Sequence, residues 1–268
     1  MPTHAIPRLL AFADALADAA RAAILPYFRA QHSVIDKGGA RFDPVTDADQ
    51  AAERVMRALI ERAYPDHSVL GEEFGGTLAT KGYQWIIDPI DGTRAFIAGL
   101  PTWGVLIGLY LDGRPLIGVM DQPYLDERYR GWMSHATVGA TLTSRGETRV
   151  LRVRACASLT GATLCTTDPY LFHEQEADAF ARVRERAKLT RYGYDCYAYC
   201  MLAAGHIDCA IESGLKPFDI AALIPIITGA GGGVCSWSGE DAATGGRVFA
   251  YGDAILRNEV LALIETQQ

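Results

Sequence analysis

Asp88-Pro89-Ile90-Asp91-Gly92-Thr93 sets two carboxylates three residues apart, directly after the apolar triplet Trp85-Ile86-Ile87. A buried strand ending there delivers both acids to one spot. Gly92 and Thr93 then open a short helix-like segment over residues 94–98. The free backbone N–H groups of a helix start can hold a phosphate. Carboxylates at a strand end bind a hard cation such as Mg²⁺, and that cation can bridge to a phosphate oxygen. The chemistry implied is metal-assisted work on a phosphate. Asp-Pro and Asp-Gly are also turn dipeptides, so a turn without chemistry is the competing reading of the hexapeptide alone.

Other acids occupy similar places. Glu72-Glu73 follows Val69-Leu70-Gly71, just past another expected strand end. Asp219 follows Lys216-Pro217-Phe218 and precedes the apolar run 220–227, where a helix N-cap is the plain alternative. Asp49 stands three residues after Thr46, a capping-box spacing with Asp in place of Glu or Gln. Strand tails and helix heads are the positions from which α/β folds build sites.

Those acids need elements to position them. Residues 7–28 and 46–63 read as helices, the second with Val55, Met56, Leu59 and Ile60 on one stripe. Strands follow at 68–70, 85–87, 103–111 and 116–120, with Asp112-Gly113 as a hairpin turn between the last two. This half reads as two helices on a largely antiparallel sheet. Around residues 145–147 the chain is polar, and beyond it strands at 162–166, 189–192, 207–211 and 233–237 alternate with helices at 174–187, 197–204 and 219–228. Gly205 and Gly229 stand where helix stops belong. Pro225 should kink or shorten the last of these helices. The expected fold is an α+β / α/β layered sandwich, αβαβα. A single domain spans 1–268, with lobes of about 1–145 and 146–268 and the site at their seam.

The 268 residues are 49% hydrophobic and 21% charged, enough for a sizeable core. Net charge is −7, and no Lys or Arg run marks a nucleic-acid partner. An anionic substrate would need neutralising by something besides side chains, which a bound metal would supply. The six cysteines form no C-x-x-C pair, so buried reduced thiols are expected in place of zinc or disulfides. Residues 1–30 carry Asp14, Asp18, Arg21 and Arg29 within an amphipathic pattern, unlike a signal peptide. No uncharged run approaches the ~20 residues that cross a bilayer. A cytoplasmic protein without membrane contact is the expectation.

Taken together, these motifs resemble the inositol-monophosphatase-like, Mg²⁺-dependent, lithium-sensitive phosphatases. The resemblance rests on Asp43-Pro44-Val45-Thr46-Asp47-Ala48-Asp49, on Gly71-Glu72-Glu73, on Trp85 through Thr93, and on Asp219-Ile220-Ala221-Ala222 followed by Gly229-Ala230-Gly231-Gly232. It implies that Glu72, Asp88, Asp91 and Asp219 ligate metal through side chains and Ile90 through its carbonyl, with two or three Mg²⁺ per site. It implies that Asp49 and Thr93, with Glu72, serve catalysis by orienting the attacking water, and that Gly92 and Thr93 cradle the phosphate. It also implies that Glu212 contacts substrate, and that the protein is a homodimer.

Lys216-Pro217-Phe218 departs from the inositol enzymes, which usually carry Trp before the last metal-binding Asp. Arg94 after Asp-Gly-Thr, the run from Ile211 to Asp219, and Tyr194-Asp195-Cys196-Tyr197 are similar to the branch that hydrolyses histidinol phosphate. That substrate carries cations, which Glu212 and Asp195 could pair by charge-assisted hydrogen bonds. Arg94 is a further candidate for substrate binding. Asp195 could equally be a solvated loop acid, and Tyr192, Tyr194, Tyr197 and Tyr199 read as packing residues. The expected function is a histidinol-phosphate phosphatase of histidine biosynthesis. The alternative is a phosphatase for inositol 1-phosphate or a related sugar phosphate.

Overall fold

A computed structural model describes residues 5–30, 34–36 and 44–265. Asp43 of the first motif lies outside the described residues. The chain begins with helix α1 (Ala5–Ile24), a two-stranded ribbon β1 (Val34–Asp36) and β2 (Pro44–Thr46), and helix α2 (Asp47–Ala63). Then come β3 (Ser68–Gly71), β4 (Tyr83–Asp91), the short α3 (Thr93–Ile97), β5 (Gly104–Leu111), β6 (Arg114–Gln122), β7 (Glu127–Met133), β8 (Val138–Ser144) and β9 (Glu147–Val150). The second half holds β10 (Thr163–Thr166), α4 (Gln175–Arg186), β11 (Leu189–Tyr192), α5 (Asp195–Ala203) and β12 (Cys209–Leu215). It ends with α6 (Pro217–Ile220), α7 (Leu223–Gly229), β13 (Gly233–Ser236), β14 (Gly246–Tyr251) and α8 (Ala254–Glu265).

Two large sheets result. One has seven strands in the order β3 to β9, antiparallel throughout except for the parallel pair β3–β4. The other has five strands in the order β11-β10-β12-β14-β13. Strand alternation sorts the apolar residues of β4. Trp85 and Ile87 pack with α1 and α2, while Ile86 joins the core beneath α5, α6 and α7. The outer face of the second sheet buries Leu164, Cys209, Ile211 and Phe249 against α4 and α8. The layers are therefore α1α2, sheet, α5α6α7, sheet, α4α8, the αβαβα sandwich expected from the sequence.

Several elements were not legible in the sequence. The strands β7 to β9, β14 and the helix α8 have weak or mixed patterns, since β9 is exposed throughout and charged Glu127, Arg128 and Arg130 interrupt β7. The polar stretch near residue 145 is a tight hairpin, with Arg145 and Gly146 both at positive φ, and β9 after it still pairs with β8. The expected helix at 219–228 is two helices. Pro225 falls in the first turn of α7, where its missing N–H costs nothing. Gly229 is the last residue of α7, as expected; Gly231, at φ +96°, takes the left-handed position beyond it, and Gly229 also lets the chain approach Gly139, where a Cβ would lie 2.2 Å from a carbonyl oxygen.

The α6–α7 segment carries Asp219, so its seat on the first sheet positions that acid. The seat is a row of cross-strand glycines, Gly108, Gly118 and Gly131, on β5, β6 and β7. A Cβ at Gly118 would lie 1.9 Å from the Ala222 carbonyl oxygen, and one at Gly131 would lie 2.3 Å from the Ile226 nitrogen. Backbone sits directly on backbone there, and no side chain can give way. Gly118→Ala should lower stability by about 1–3 kcal/mol, as overpacking does. Gly161→Ala, whose Cβ would meet only Ser158 Oγ at 4.0 Å, should stay within about 0.5 kcal/mol. Urea unfolding of both variants checks the contrast, and equal midpoints would mean that the glycine row is not a packing constraint.

Candidate active site

Residues three apart on a regular strand face opposite sides of a sheet. Asp88 pairs with Leu106 and Asp91 with Gly104, so β4 spends three steps where β5 spends two. That extra residue is a β-bulge, and it turns Asp91 to the same side as Asp88. Pro89 lies inside the bulge, where a missing N–H is tolerated. Asp88 is then fixed by the Ile90 N–H, which donates to its Oδ1 at 3.0 Å. Asp91 Oδ2 accepts from the Cys196 N–H at 2.7 Å, tying the end of β4 to the start of α5.

Two other elements bring acids to this point. Asp219 Oδ2 accepts from the Lys216 N–H at 2.6 Å, so the residue caps α6 from its third position. Carboxylate oxygens of Asp88, Asp91 and Asp219 all lie within 4.8 Å of one another. Glu72, on the turn after β3, lies close enough for its charge to act on Asp88 and raise it. Asp49 lies on the first turn of α2 and does the cap work expected of it. The Thr46 N–H and hydroxyl donate to its Oδ2 at 2.8 and 2.5 Å. Its Oδ1 is buried and has no hydrogen-bond partner among the described residues, so the cap reading and a role in the site draw on different oxygens. The Thr93 hydroxyl donates to the Ile90 carbonyl at 3.1 Å. The structure therefore joins Thr93 to Ile90, and not directly to Asp49.

A cavity of about 340 Å³ opens beside these acids, lined by Asp91, Gly92, Thr93, Arg94, Asp195, Glu212 and Asp219 among others. Gly92 has φ +86°, and a Cβ there would lie 3.0 Å from Asp195, so glycine serves both backbone and space. Asp195 is half-buried at φ +43° and sits in the cavity wall, not on an open loop. Glu212 is buried on β12, with Oε1 accepting the Thr167 N–H at 2.6 Å and Oε2 the Thr166 hydroxyl at 3.1 Å. Arg94 is exposed at the cavity rim, and its charge acts on Asp195.

Sequence reasoning missed Thr166, Thr167 and Tyr199. Tyr199 reads as packing from the sequence, yet it lines the cavity, and its hydroxyl is buried without a hydrogen-bond partner among the described residues. The charges acting on it come first from Glu212 and then from Asp91 and Asp219. Its place one turn of α5 after Asp195 was the available signal. Tyr194 and Tyr197 do bind elsewhere, Tyr194 accepting from Arg191 and Tyr197 donating to Glu127.

The electrostatics are those of crowded anions. Burial, then the charges of Glu72, Asp91 and Asp219, hold the Asp88 carboxyl well above the usual range. Burial, then Asp195 and Asp219, raise Asp91, against the pull of its Cys196 donor. Among the described residues the largest charges acting on either acid are all carboxylates. Burial pushes Asp49 up to about 6, with Glu72 adding to it. Burial likewise raises Asp195 to about 6, opposed by Arg94, and raises Glu212 to about 8 despite its donors. An all-oxygen donor set, crowded carboxylates and an orphaned Asp49 oxygen fit a hard divalent cation. Asp88, Asp91, Asp219 and Glu72 are the residues that could hold it.

A carboxyl that titrates higher folded than unfolded gives stability that is complete below its unfolded value of about 4 and is lost as pH rises through the folded value. For Asp49 and Asp195 that loss runs to about 6, and for Glu212 to about 8. Metal-free protein should therefore melt progressively lower between pH 5 and 8 (about those limits). Mg²⁺ at a hundred times its Kd should add about 2.7 kcal/mol, with a larger gain in melting temperature at the alkaline end. Calorimetry in chelator and in Mg²⁺ checks this, and a pH-independent Mg²⁺ gain would contradict it.

Comparison with known proteins agrees with this geometry. The sequence pattern of the inositol monophosphatase family matches residues 7–267. The chain is 41% identical over 271 aligned positions to the chloroplastic bifunctional phosphatase IMPL2 of Arabidopsis thaliana, covering 97% of this chain and 76% of that protein. It is 38% identical over 229 positions to a histidinol-phosphatase of Mycobacterium tuberculosis, covering 81% of this chain and 83% of that one. Among solved structures, an inositol monophosphatase from Zymomonas mobilis superposes with a TM-score of 0.84 at 38% identity, covering 97% of this chain and 99% of the other. With the family pattern running almost from end to end and this fold shared over the same span, the chain belongs to the inositol monophosphatase family.

Proposed function

We propose that this family phosphatase hydrolyses histidinol phosphate, releasing the amino alcohol and inorganic phosphate. The observation that carries the substrate is Glu212. It is a buried acid in the cavity wall, pushed up to about 8 by burial, and among the described residues the largest influences on it are burial, its Thr166 and Thr167 donors and the charge of Asp195. A buried carboxylate without a counter-charge favours a ligand that brings one. Asp195 faces the same cavity and is also raised by burial. Histidinol phosphate carries an ammonium and an imidazole, and a neutral polyol phosphate offers neither. Similarity to the histidinol-phosphatase of Mycobacterium tuberculosis supports this reading. Similarity to the Zymomonas mobilis inositol monophosphatase favours the second reading, an inositol phosphate.

The phosphatases of this family are in general Mg²⁺-dependent. We assign Asp88, Asp91, Asp219, Glu72 and the Ile90 carbonyl to holding Mg²⁺, two or three ions per site. When bound, the cation supplies positive charge against the phosphoryl oxygens and acidifies water. The chain does the rest. The Gly92–Thr93 amides hold the phosphate at the start of α3. The Thr93 proton is committed to the Ile90 carbonyl, so its oxygen is left to accept a hydrogen bond from the attacking water. The free Asp49 oxygen orients the same water and can take its proton. A new P–O bond forms to water as the ester P–O bond breaks, and the proton that the attacking water gives up to Asp49 is balanced by the one the leaving alkoxide gains from solvent. Glu212 and Asp195 bind the alcohol portion, with Arg94 balancing Asp195.

The direct test is phosphate release from histidinol phosphate and from inositol 1-phosphate, each with Mg²⁺ and with chelator. A kcat/KM at least tenfold higher on histidinol phosphate is expected (about 1.4 kcal/mol of discrimination), with no turnover in chelator. Preference for the inositol ester would establish the second reading. Glu212→Gln should lower kcat/KM on histidinol phosphate by about tenfold to a hundredfold, the loss when a charged hydrogen bond becomes a neutral one. Glycerol phosphate should suffer less, and an equal loss on both would move Glu212 to a supporting role. Asp219→Asn keeps the volume and removes the charge. It should reduce kcat by well over about tenfold with a native circular dichroism spectrum, and activity retained at high Mg²⁺ would remove Asp219 from the site.

A further inference from the structure

Glu53 lies one helical turn after Asp49 on α2, on the same buried face, and is 0% exposed. A buried carboxylate must be paired and hydrogen-bonded. Its partners are unusually concentrated. Oε2 accepts the Glu73 N–H at 2.7 Å and Oε1 the Phe74 N–H at 3.2 Å. Arg57, one further turn along α2, donates its Nε to Oε1 at 2.7 Å and its terminal nitrogen to the Gly75 carbonyl. The turn that carries Glu72 is thus gripped from α2 at three successive residues. On its other side the Gly71 N–H donates to the Gly75 carbonyl at 3.1 Å, and the Glu72 N–H donates to the Ile87 carbonyl at 3.3 Å, one residue before Asp88.

Gly71 completes the device. It has no positive φ, so its backbone would accept any residue. Yet a Cβ there would lie 2.0 Å from Glu53 Oε1 and 2.9 Å from an Arg57 nitrogen. Glycine is required because the Glu53 carboxylate occupies the space. Arg57 neutralises Glu53 at 2.7 Å, so the pair holds the turn without adding net negative charge to the nearby acids.

We propose that Glu53 is a positioning residue that locks the 71–75 turn to the Asp49 helix, fixing Glu72 against Asp88 and thereby setting the site's affinity for its divalent cation. The proposal rests on the reading of these acids as a cation site. Glu53 touches neither cation nor substrate; it acts through two backbone amides. A loosened turn lets Glu72 swing away from Asp88, so a bound cation gains less from it. The effect should fall on cation affinity more than on the chemical step once the site is filled.

The test uses the whole chain stripped of metal, with Glu53→Gln, Gly71→Ala and Arg57→Gln beside wild type. Hydrogen exchange in metal-free protein should show Glu73 and Phe74 amides exchanging at least tenfold faster in Glu53→Gln. Calorimetric titration with Mg²⁺ alone should give a Kd raised about tenfold, equivalent to about 1.4 kcal/mol. The Mg²⁺ concentration for half-maximal phosphate release should rise in parallel, with kcat at saturating Mg²⁺ within about threefold and KM little changed. Gly71→Ala should reproduce all of this, because its methyl displaces the Glu53 carboxylate, and Arg57→Gln should show a smaller shift in the same direction. If Glu53→Gln does not fold, the other two variants carry the same readouts. An Mg²⁺ Kd within twofold of wild type, or unchanged exchange at residues 73 and 74, would overturn the proposal while leaving the cation site standing. A loss confined to kcat would also overturn it. A wild-type protein that binds no Mg²⁺ would overturn the cation reading and this proposal with it.

Discussion

The structure depends on holding carboxylates together that repel one another. At an effective dielectric of about 20, two unit charges 4 Å apart cost roughly 4 kcal/mol, and three acids here have oxygens within 4.8 Å. The chain meets this with a backbone donor for five of the site's acids. Ile90 N–H serves Asp88, Cys196 N–H serves Asp91, Lys216 N–H serves Asp219, Thr46 N–H serves Asp49 and Thr167 N–H serves Glu212. A backbone amide fixes one oxygen and carries no charge that would compete with a cation. The shifted acids show that the donors do not fully compensate for burial.

Three of these donors, those of Asp49, Asp88 and Asp219, belong to a local element that the acid itself helps to form. Asp49 closes a capping box on α2, and Asp219 accepts from the amide before the first turn of α6. Asp88 stabilises the bulge that turns Asp91 beside it. The same hydrogen bonds therefore shape the fold and orient the acids, so an isosteric amide at one of these positions loses a charge before it loses a helix. Contacts between the elements are fixed elsewhere, by glycine. Gly108, Gly118 and Gly131 let α6 and α7 rest on the first sheet backbone to backbone, and Gly71 leaves room for Glu53. Such contacts have little play, which suits a site whose ligands come from distant parts of the chain.

The far wall of the cavity has different physics. Glu212, Asp195 and Tyr199 are supplied by β12 and α5, on the side of the second sheet. None of them is among the acids held within reach of one another at the end of β4. This separates the group crowding that suits a metal from the polar wall that meets the rest of a ligand. Differences in substrate among relatives can then arise on one wall without disturbing the other. The orphaned Tyr199 hydroxyl marks this wall as polar as well as anionic.

By itself the sequence determined the element types, the layered class and the family, because local periodicity and contiguous motifs carry them. Asp88 to Thr93 reads as strand, acids, turn and helix start from adjacent residues alone, and Thr46 with Asp49 announces a helix start. It left β7 to β9, β14 and α8 unread, since exposed or charge-interrupted segments take their structure from neighbours in the sheet or core. Tertiary structure decided which oxygens are free. Only the bulge places Asp91 beside Asp88, only the Cys196 amide from α5 fixes it there, and only packing reveals Glu53 behind Glu72. These are contacts between residues tens of positions apart, and no local pattern encodes a distance across the seam of two sheets.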